Sequence, residues 1–452
     1  MADAVVDIAS RAEFRHATVR CLAAAAFCVF AERVSGFDIQ GEIDACHAGG
    51  GGVVSVPAGV YANQKPIMLR SNVELRLEEG ATIHASTNSS DYPWMPGWNR
   101  GAFIYSTGAT NVAVSGKGTV ECSGDKMPHA EKTDGRWRGI HFFRCRDVRL
   151  EDFTLRSANS WGCYLQECDG VEARRLTVFN HANYNNDGLD IASRNVLVED
   201  CDIDAEDDAL VFKNHNPDFV VENVVVRRCR LSSNTSYVKI GTETYGGFRN
   251  IRVADCELDC SVPVTKRHPY VDVPGLATAH TGAAGLSVLI VDGGYAEDVA
   301  FSRIRMKRGI MSPIWVRLDN RKNHADGKDS FIRNIVFENV EMDLPSTSYI
   351  PCAITGIEGM RPKGITLRNV KLRHLACGDS AIVSKKVPEK KGSYPGCRQF
   401  KCVLPACGFY LRRADDVKFE HVKIESAGKE VRDIIVGEDS TWRFACSEGE
   451  MQ

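Results

Sequence analysis

The sequence predicts an all-β chain wound into a parallel β-helix, a solenoid with a short helical cap at its N-terminal end. Two observations carry that expectation. The first is a unit that opens on Asn, Asp or Gly and continues with alternating apolar and polar residues, as in Asn195-Val-Leu-Val-Glu-Asp-Cys and Asn223-Val-Val-Val-Arg-Arg-Cys. Alternation of period two is the mark of a strand, not of a helix. The second is spacing: from Asp147 through Gly170, Asn195 and Asn223 to Asn250 the unit starts lie 23, 25, 28 and 27 residues apart. So short a unit cannot bury its apolar face alone and must stack on its neighbours. A propeller blade would take about 40–45 residues and four strands, which this spacing excludes.

Taken in order, residues 1–38 stand apart. Cys21 to Ala31 is apolar and follows Arg11, Arg15 and Arg20. The run is too short to span a bilayer. It resembles the core of a signal peptide, but Asp3, Asp7 and Glu13 precede it, and an amphipathic helix is an equal reading. Residues 39–452 are expected to form a single β-helix domain. Glu42 to His47 reads as a cap helix, Gly49 to Gly52 as a turn, and Val53-Val-Ser-Val as the first strand. No Gly-Lys-Ser/Thr follows those glycines and they precede a strand, so they are not a phosphate loop. Further units start at Asn111, Asp298, Asn334, Gly364 and Asp416, and the repeats weaken after about Met342.

Cys201, Cys229 and Cys256 each fall six residues after a unit start. Stacked, they form an interior column of small apolar side chains. No Cys-x-x-Cys pair lies beside them, so no metal site is expected. Cys377, Cys397, Cys402 and Cys407 are candidates for pairing if the protein is exported. At 452 residues the chain exceeds the usual limit of one core, but a solenoid grows by length. A net charge of −3 gives no reason to expect nucleic acid or an anionic membrane as partner. No cofactor is implied, and a monomer is expected.

Function is read from five carboxylates: Asp187 and Asp190, then Glu206, Asp207 and Asp208. Like charges this close repel, so folding alone does not favour them. An acid and a base held side by side account for them; a solvated acidic turn or a calcium site is the plain alternative. Asp187 precedes Asp207 by 20 residues and Asp208 by 21, close to one coil. The two blocks should then lie on adjacent rungs, about 4.8 Å apart. That spacing fits a site cutting a polysaccharide, where an inverting acid and base stand roughly 6.5–9.5 Å apart.

Three ordered blocks are recognisable. They are Asn185-Asn-Asp-Gly-Leu-Asp190, then Glu206-Asp-Asp208 with Phe212-Lys-Asn214, then Ile240-Gly-Thr-Glu-Thr-Tyr-Gly-Gly247. Val56-Pro-Ala-Gly-Val-Tyr61 and Leu77-Glu-Glu-Gly-Ala81 accompany them upstream. Over roughly residues 40–345 the chain resembles glycoside hydrolase family 28, the polygalacturonase family of right-handed β-helices. The resemblance implies a secreted or periplasmic enzyme acting on a pectin-like polysaccharide or oligosaccharide by inversion. It implies that Asp207 is the general acid, that Asp187 and Asp208 activate the water, and that Asp190 closes the turn. Two departures stand out. The family's Gly-His-Gly falls on Thr235-Ser-Tyr237, and no Arg-x-Lys follows one coil later; Lys266-Arg267 and Arg305-Met-Lys307 are only approximate substitutes. Lys239, Lys213, Arg317 and Arg321 are the candidate substrate-binding cations, and Trp161 and Tyr164 are candidate sugar platforms. A lyase with Lys239 as base, and a carbohydrate-binding β-helix without activity, are the competing readings.

Overall fold

The computed structural model describes residues 36–93, 101–129, 136–261, 282–307, 310–321, 330–345, 350–396, 399–400 and 402–445. One helix, Ile39–Ala48, opens this part of the chain. Asp38 caps it, its side chain accepting from the Gly41 N–H at 3.1 Å, and Ile39 and Ile43 turn inward. The predicted cap is thus present, followed by a strand at Gly52–Val56. The stretch read as a signal core or amphipathic helix lies outside the described residues, as do Lys266 and Arg267. No described helix is long and apolar enough to cross a membrane.

All paired strands run parallel and form three ladders that wind as a right-handed parallel β-helix. One ladder passes through Val73–Leu77, Arg146–Glu151, Val220–Arg227, Phe331–Met342 and Asp415–Ala427. A second includes Thr177–Asn180, Asp202–Ala205 and Arg230–Ser233. The third includes Arg138–Phe143, Leu210–Asn214, Ser236–Thr244, Gly282–Ile290 and Ile310–Leu318. Longer strands such as Cys163–Arg174 and Leu189–Glu199 bend from the third ladder into the first.

The repeat has a local cause. Every unit start named above sits at a positive φ, between +50° and +74°. Asn, Asp and Gly are the residues that enter this left-handed region at least cost. At these corners the amides also bond rung to rung: Asn223 donates to Asn195 at 3.0 Å and Asn250 to Asn223 at 2.8 Å. One residue on, an aliphatic column runs Val148, Val171, Val196, Val224, Ile251, Val299, Ile335, Ile365, Val417. Each is at most 3% exposed. Burying one such side chain contributes about 1.5–3 kcal/mol, against about 1–2 kcal/mol to order its backbone. A coil therefore depends on the rungs above and below it.

Cys201, Cys229 and Cys256 form the expected interior column, each 2–3% exposed. Their thiols donate to strand carbonyls, Cys229 to Arg227 O at 3.3 Å and Cys256 to Ala254 O at 3.2 Å. Cys377, Cys402 and Cys407 are free thiols; Cys397 lies outside the described residues.

Candidate active site

The site forms where the third ladder begins, at corners on successive rungs. Gly188 N–H donates to Asp208 O at 2.9 Å and Asp207 N–H to Asn186 O at 3.1 Å. These bonds set the corner carrying Asp187 one rung from the corner carrying Asp207 and Asp208, as the 21-residue spacing predicts. The next rung brings Thr235 and Ser236, with Ala209 N–H donating to Ser236 O at 2.9 Å.

The motif's uncharged residues build these corners. Asn186, fully buried, donates to Ala158 O at 2.8 Å and Ser160 O at 2.6 Å. Asn180 donates to Asp187 O at 2.7 Å. Gly188 is a matter of space: an added Cβ would stand 2.4 Å from Ile203 Cγ2 and 2.5 Å from Ala209 O. Gly188→Ala is expected to cost about 1–3 kcal/mol through overpacking, read as a lower urea midpoint.

The carboxylates are buried: Asp187 is 2% exposed, Asp190 0%, Asp208 3% and Asp207 9%. Lys213 Nζ lies 2.7 Å from Asp187 Oδ2 and 2.7 Å from Asp190 Oδ1, and 3.4 Å from the centre of the Trp161 ring. Burial opposes the charge on Lys213, but the two aspartates outweigh it and raise its pKa. Burial pushes Asp187 well above the usual carboxylate range against the pull of Lys213, and neighbouring Asp190, Asp207 and Asp208 add to the rise. Asp190 is raised by burial as well. One ammonium cannot balance two buried carboxylates, so Lys213 stays charged while burial favours the protonated form across the Asp187–Asp190 pair.

Asp208 Oδ2 accepts from Lys239 Nζ at 2.5 Å. Asp207 Oδ2 accepts from the Asn185 amide at 2.9 Å. Thr235 bridges the two: its hydroxyl oxygen is 2.7 Å from Asp207 Oδ1 and 3.1 Å from Asp208 Oδ1. These two Oδ1 atoms are therefore no farther apart than the two contacts laid end to end. That is shorter than the separation expected of an acid and base flanking a water. The reason is that the residues are consecutive at one corner, while only Asp187 is offset by a rung. A hydroxyl has one hydrogen, so both contacts are hydrogen bonds only when one of the two carboxyls also carries a proton.

The candidate cations separate. Lys213, 3% exposed, faces carboxylates rather than open space. Lys239, 6% exposed, joins Asp208 to the Tyr394 hydroxyl, donating to it at 3.3 Å. Arg321 grips Asp292 at 2.8 and 2.5 Å, with its guanidinium 5.5 Å from the Tyr394 ring. Arg317 is not brought to the surface of the site. It is fully buried on Asp319 at 2.6 Å, with further donation to Glu389 O at 3.3 Å. Arg305 lies elsewhere, paired with Asp343 at 2.9 Å. Tyr164 is fully buried, its hydroxyl 2.9 Å from His215 Nδ1, so it is core. Trp161 keeps partial exposure next to Asp187, whose O accepts from Gly162 N–H at 2.8 Å.

Sequence reasoning missed Thr235 as a bridge, Asn185 as the Asp207 donor, and Tyr394. Glu243, inside the third block, also belongs here. Burial opposes its charge, yet Lys213, His215, Lys239 and Arg321 hold its carboxyl down at about 2. A depressed carboxylate stabilises the fold above its unfolded pKa, 4.5 here, and the benefit is lost as pH falls through about 2. Glu243→Gln should thus be less stable than the parent above pH 4.5, with the gap closing on acidification in urea titrations.

Comparison with known proteins adds four findings. Residues 46–261 match the model of Glycosyl hydrolases family 28. A probable polygalacturonase of Vitis vinifera is 24% identical over 78% of this chain and 72% of its own length. An endo-polygalacturonase of Pectobacterium carotovorum subsp. carotovorum is 22% identical over 78% of this chain and 87% of its own. The crystal structure of a hyperthermoactive exopolygalacturonase from Thermotoga maritima superposes with a TM-score of 0.64 and 18% identity, covering 85% of this chain and 86% of that one. At that identity the last likeness is one of fold.

Proposed function

The chain belongs to Glycosyl hydrolases family 28 and is a glycosidase, and from that premise we propose that it cleaves a pectin-like, galacturonic-acid-containing polysaccharide or its oligosaccharides. The substrate class is supported by the relatives, which are named polygalacturonases. In this reading Asp207 donates a proton to the leaving oxygen, while Asp208, with Asp187 on the adjoining rung, activates the attacking water. The anomeric centre inverts.

The observation that carries the acid/base assignment is the Thr235 bridge, whose hydroxyl oxygen stands 2.7 Å from Asp207 and 3.1 Å from Asp208 and so holds the two carboxyls side by side. It stands in the stretch where the resemblance expects a histidine. A polar hydroxyl there does the joining without adding charge. Lys239 argues against the lyase reading, since a lyase base must reach the sugar and this ammonium is buried on Asp208 at 2.5 Å. The assembled carboxylates likewise favour catalysis over binding alone.

A panel of pectic and other acidic polysaccharides tests this. Polygalacturonate or its oligomers should yield new reducing ends, and proton spectra taken early in the reaction should show the inverted anomer first. Release from neutral glycans only would remove the substrate assignment, and the retained anomer would remove the water-activating role of Asp208.

A further inference from the structure

Beyond residue 261, where the family match ends, the segment between the strands Lys363–Leu375 and Ala406–Arg412 reaches back to the catalytic corner. Its anchoring is extensive. Arg317 and Asp319, both fully buried as a pair, hold it from below: Arg317 donates to Glu389 O and Asp319 Oδ1 accepts from Gly392 N–H at 3.2 Å. Arg412 donates to Val387 O at 2.7 Å and Pro388 O at 3.2 Å. Gln399 donates to Lys390 O at 3.3 Å. Two buried charges are costly unless something is gained by fixing geometry. What this scaffold presents is Tyr394, a ring 50% exposed whose hydroxyl shares Lys239 with Asp208.

Arg321 completes the arrangement. Asp292, fully buried, fixes the guanidinium through two bonds, and the cation stands 5.5 Å from the Tyr394 ring. The strand Gly282–Ile290, one rung after Ser236–Thr244, carries no basic residue, Ser287 sitting in register with Lys239. Among the described residues, Lys239 and Arg321 supply positive charge here, from the rungs on either side of that strand. An exposed aromatic face, a phenol hydroxyl and a fixed guanidinium are the groups that recognise a sugar ring bearing a carboxylate.

We infer that Tyr394 and Arg321 form a specificity subsite beside Asp208 that binds the uronate unit next to the scissile bond, Tyr394 packing on the ring and Arg321 facing its carboxylate. The inference rests on the uronate reading given above and names residues outside the matched family region. Glu243 competes for the same cations, which makes discrimination between charged and neutral sugars the property to measure.

The experiment compares kcat/KM for a galacturonide oligomer and for its carboxyl-reduced, neutral counterpart. The variants are Tyr394→Ala and the paired change Arg321→Gln with Asp292→Asn, which removes both charges without leaving a buried carboxylate unpaired. The paired change should lower the charged-to-neutral ratio about tenfold or more, and Tyr394→Ala should raise KM about tenfold with a smaller change in kcat. If the parent cleaves the galacturonide and both variants keep its ratio and KM, the subsite is wrong and the function stands. If the parent cleaves no uronide, the function fails and the subsite fails with it.

Discussion

Asp207→Asn is expected to lower kcat on the natural glycan by about 10²–10⁴-fold, the usual share of a general acid. kcat/KM should fall in step, because the proton is transferred only on the way through the transition state. The fold should persist. The amide oxygen can still accept from Asn185, which donates to Asp207 at 2.9 Å, and the new NH₂ can donate to the Thr235 oxygen 2.7 Å away. Unfolding in urea distinguishes a lost proton donor from a lost corner. A variant that turned over within a few-fold of the parent would take the acid role away from this residue.

Lys213→Met is expected to be the most destabilising single change at the site, by about 3–5 kcal/mol, the range for breaking a buried ion pair from one side. The lysine and both its partners are almost fully buried, and its ammonium serves Asp187 and Asp190 at 2.7 Å each. Without it two carboxylates face each other with no cation between them. Acid should relieve that repulsion, because burial already raises the pKa of both aspartates. The deficit relative to the parent should therefore shrink as pH falls. Adding Asp190→Asn should recover part of the loss, and a double-mutant cycle would give the coupling. A Lys213→Met protein as stable as the parent would mean that the pair holds no charge.

The solenoid was legible because one physical constraint recurs at every corner. A left-handed residue is needed there, and Asn, Asp or Gly appears, so the chain announces each turn in its own composition. The adjacent-rung placement of Asp187 and Asp208 followed from the same count, since a coil of known length fixes which residues stack. What did not repeat could not be read. Tyr394 lies on a connection with no alternation, and its approach to Lys239 spans 155 residues. Arg317 and Arg321 are four apart and looked interchangeable as cations, yet one is sealed beneath the anchored segment and the other stands at the site. The difference depends on which carboxylate each finds, Asp319 or Asp292. The bridging position of Thr235 was hidden because the residue type is ordinary and only its two distances single it out.

Digestion of a galacturonide oligomer in heavy-oxygen water, with products weighed by mass spectrometry, probes the paired carboxylates most directly. Water activated by Asp208 and Asp187 should leave one heavy oxygen at each new reducing end, in the parent and, far more slowly, in Asp207→Asn. Products lighter by the mass of a water, carrying a ring double bond and no heavy oxygen, would show elimination instead and contradict the account.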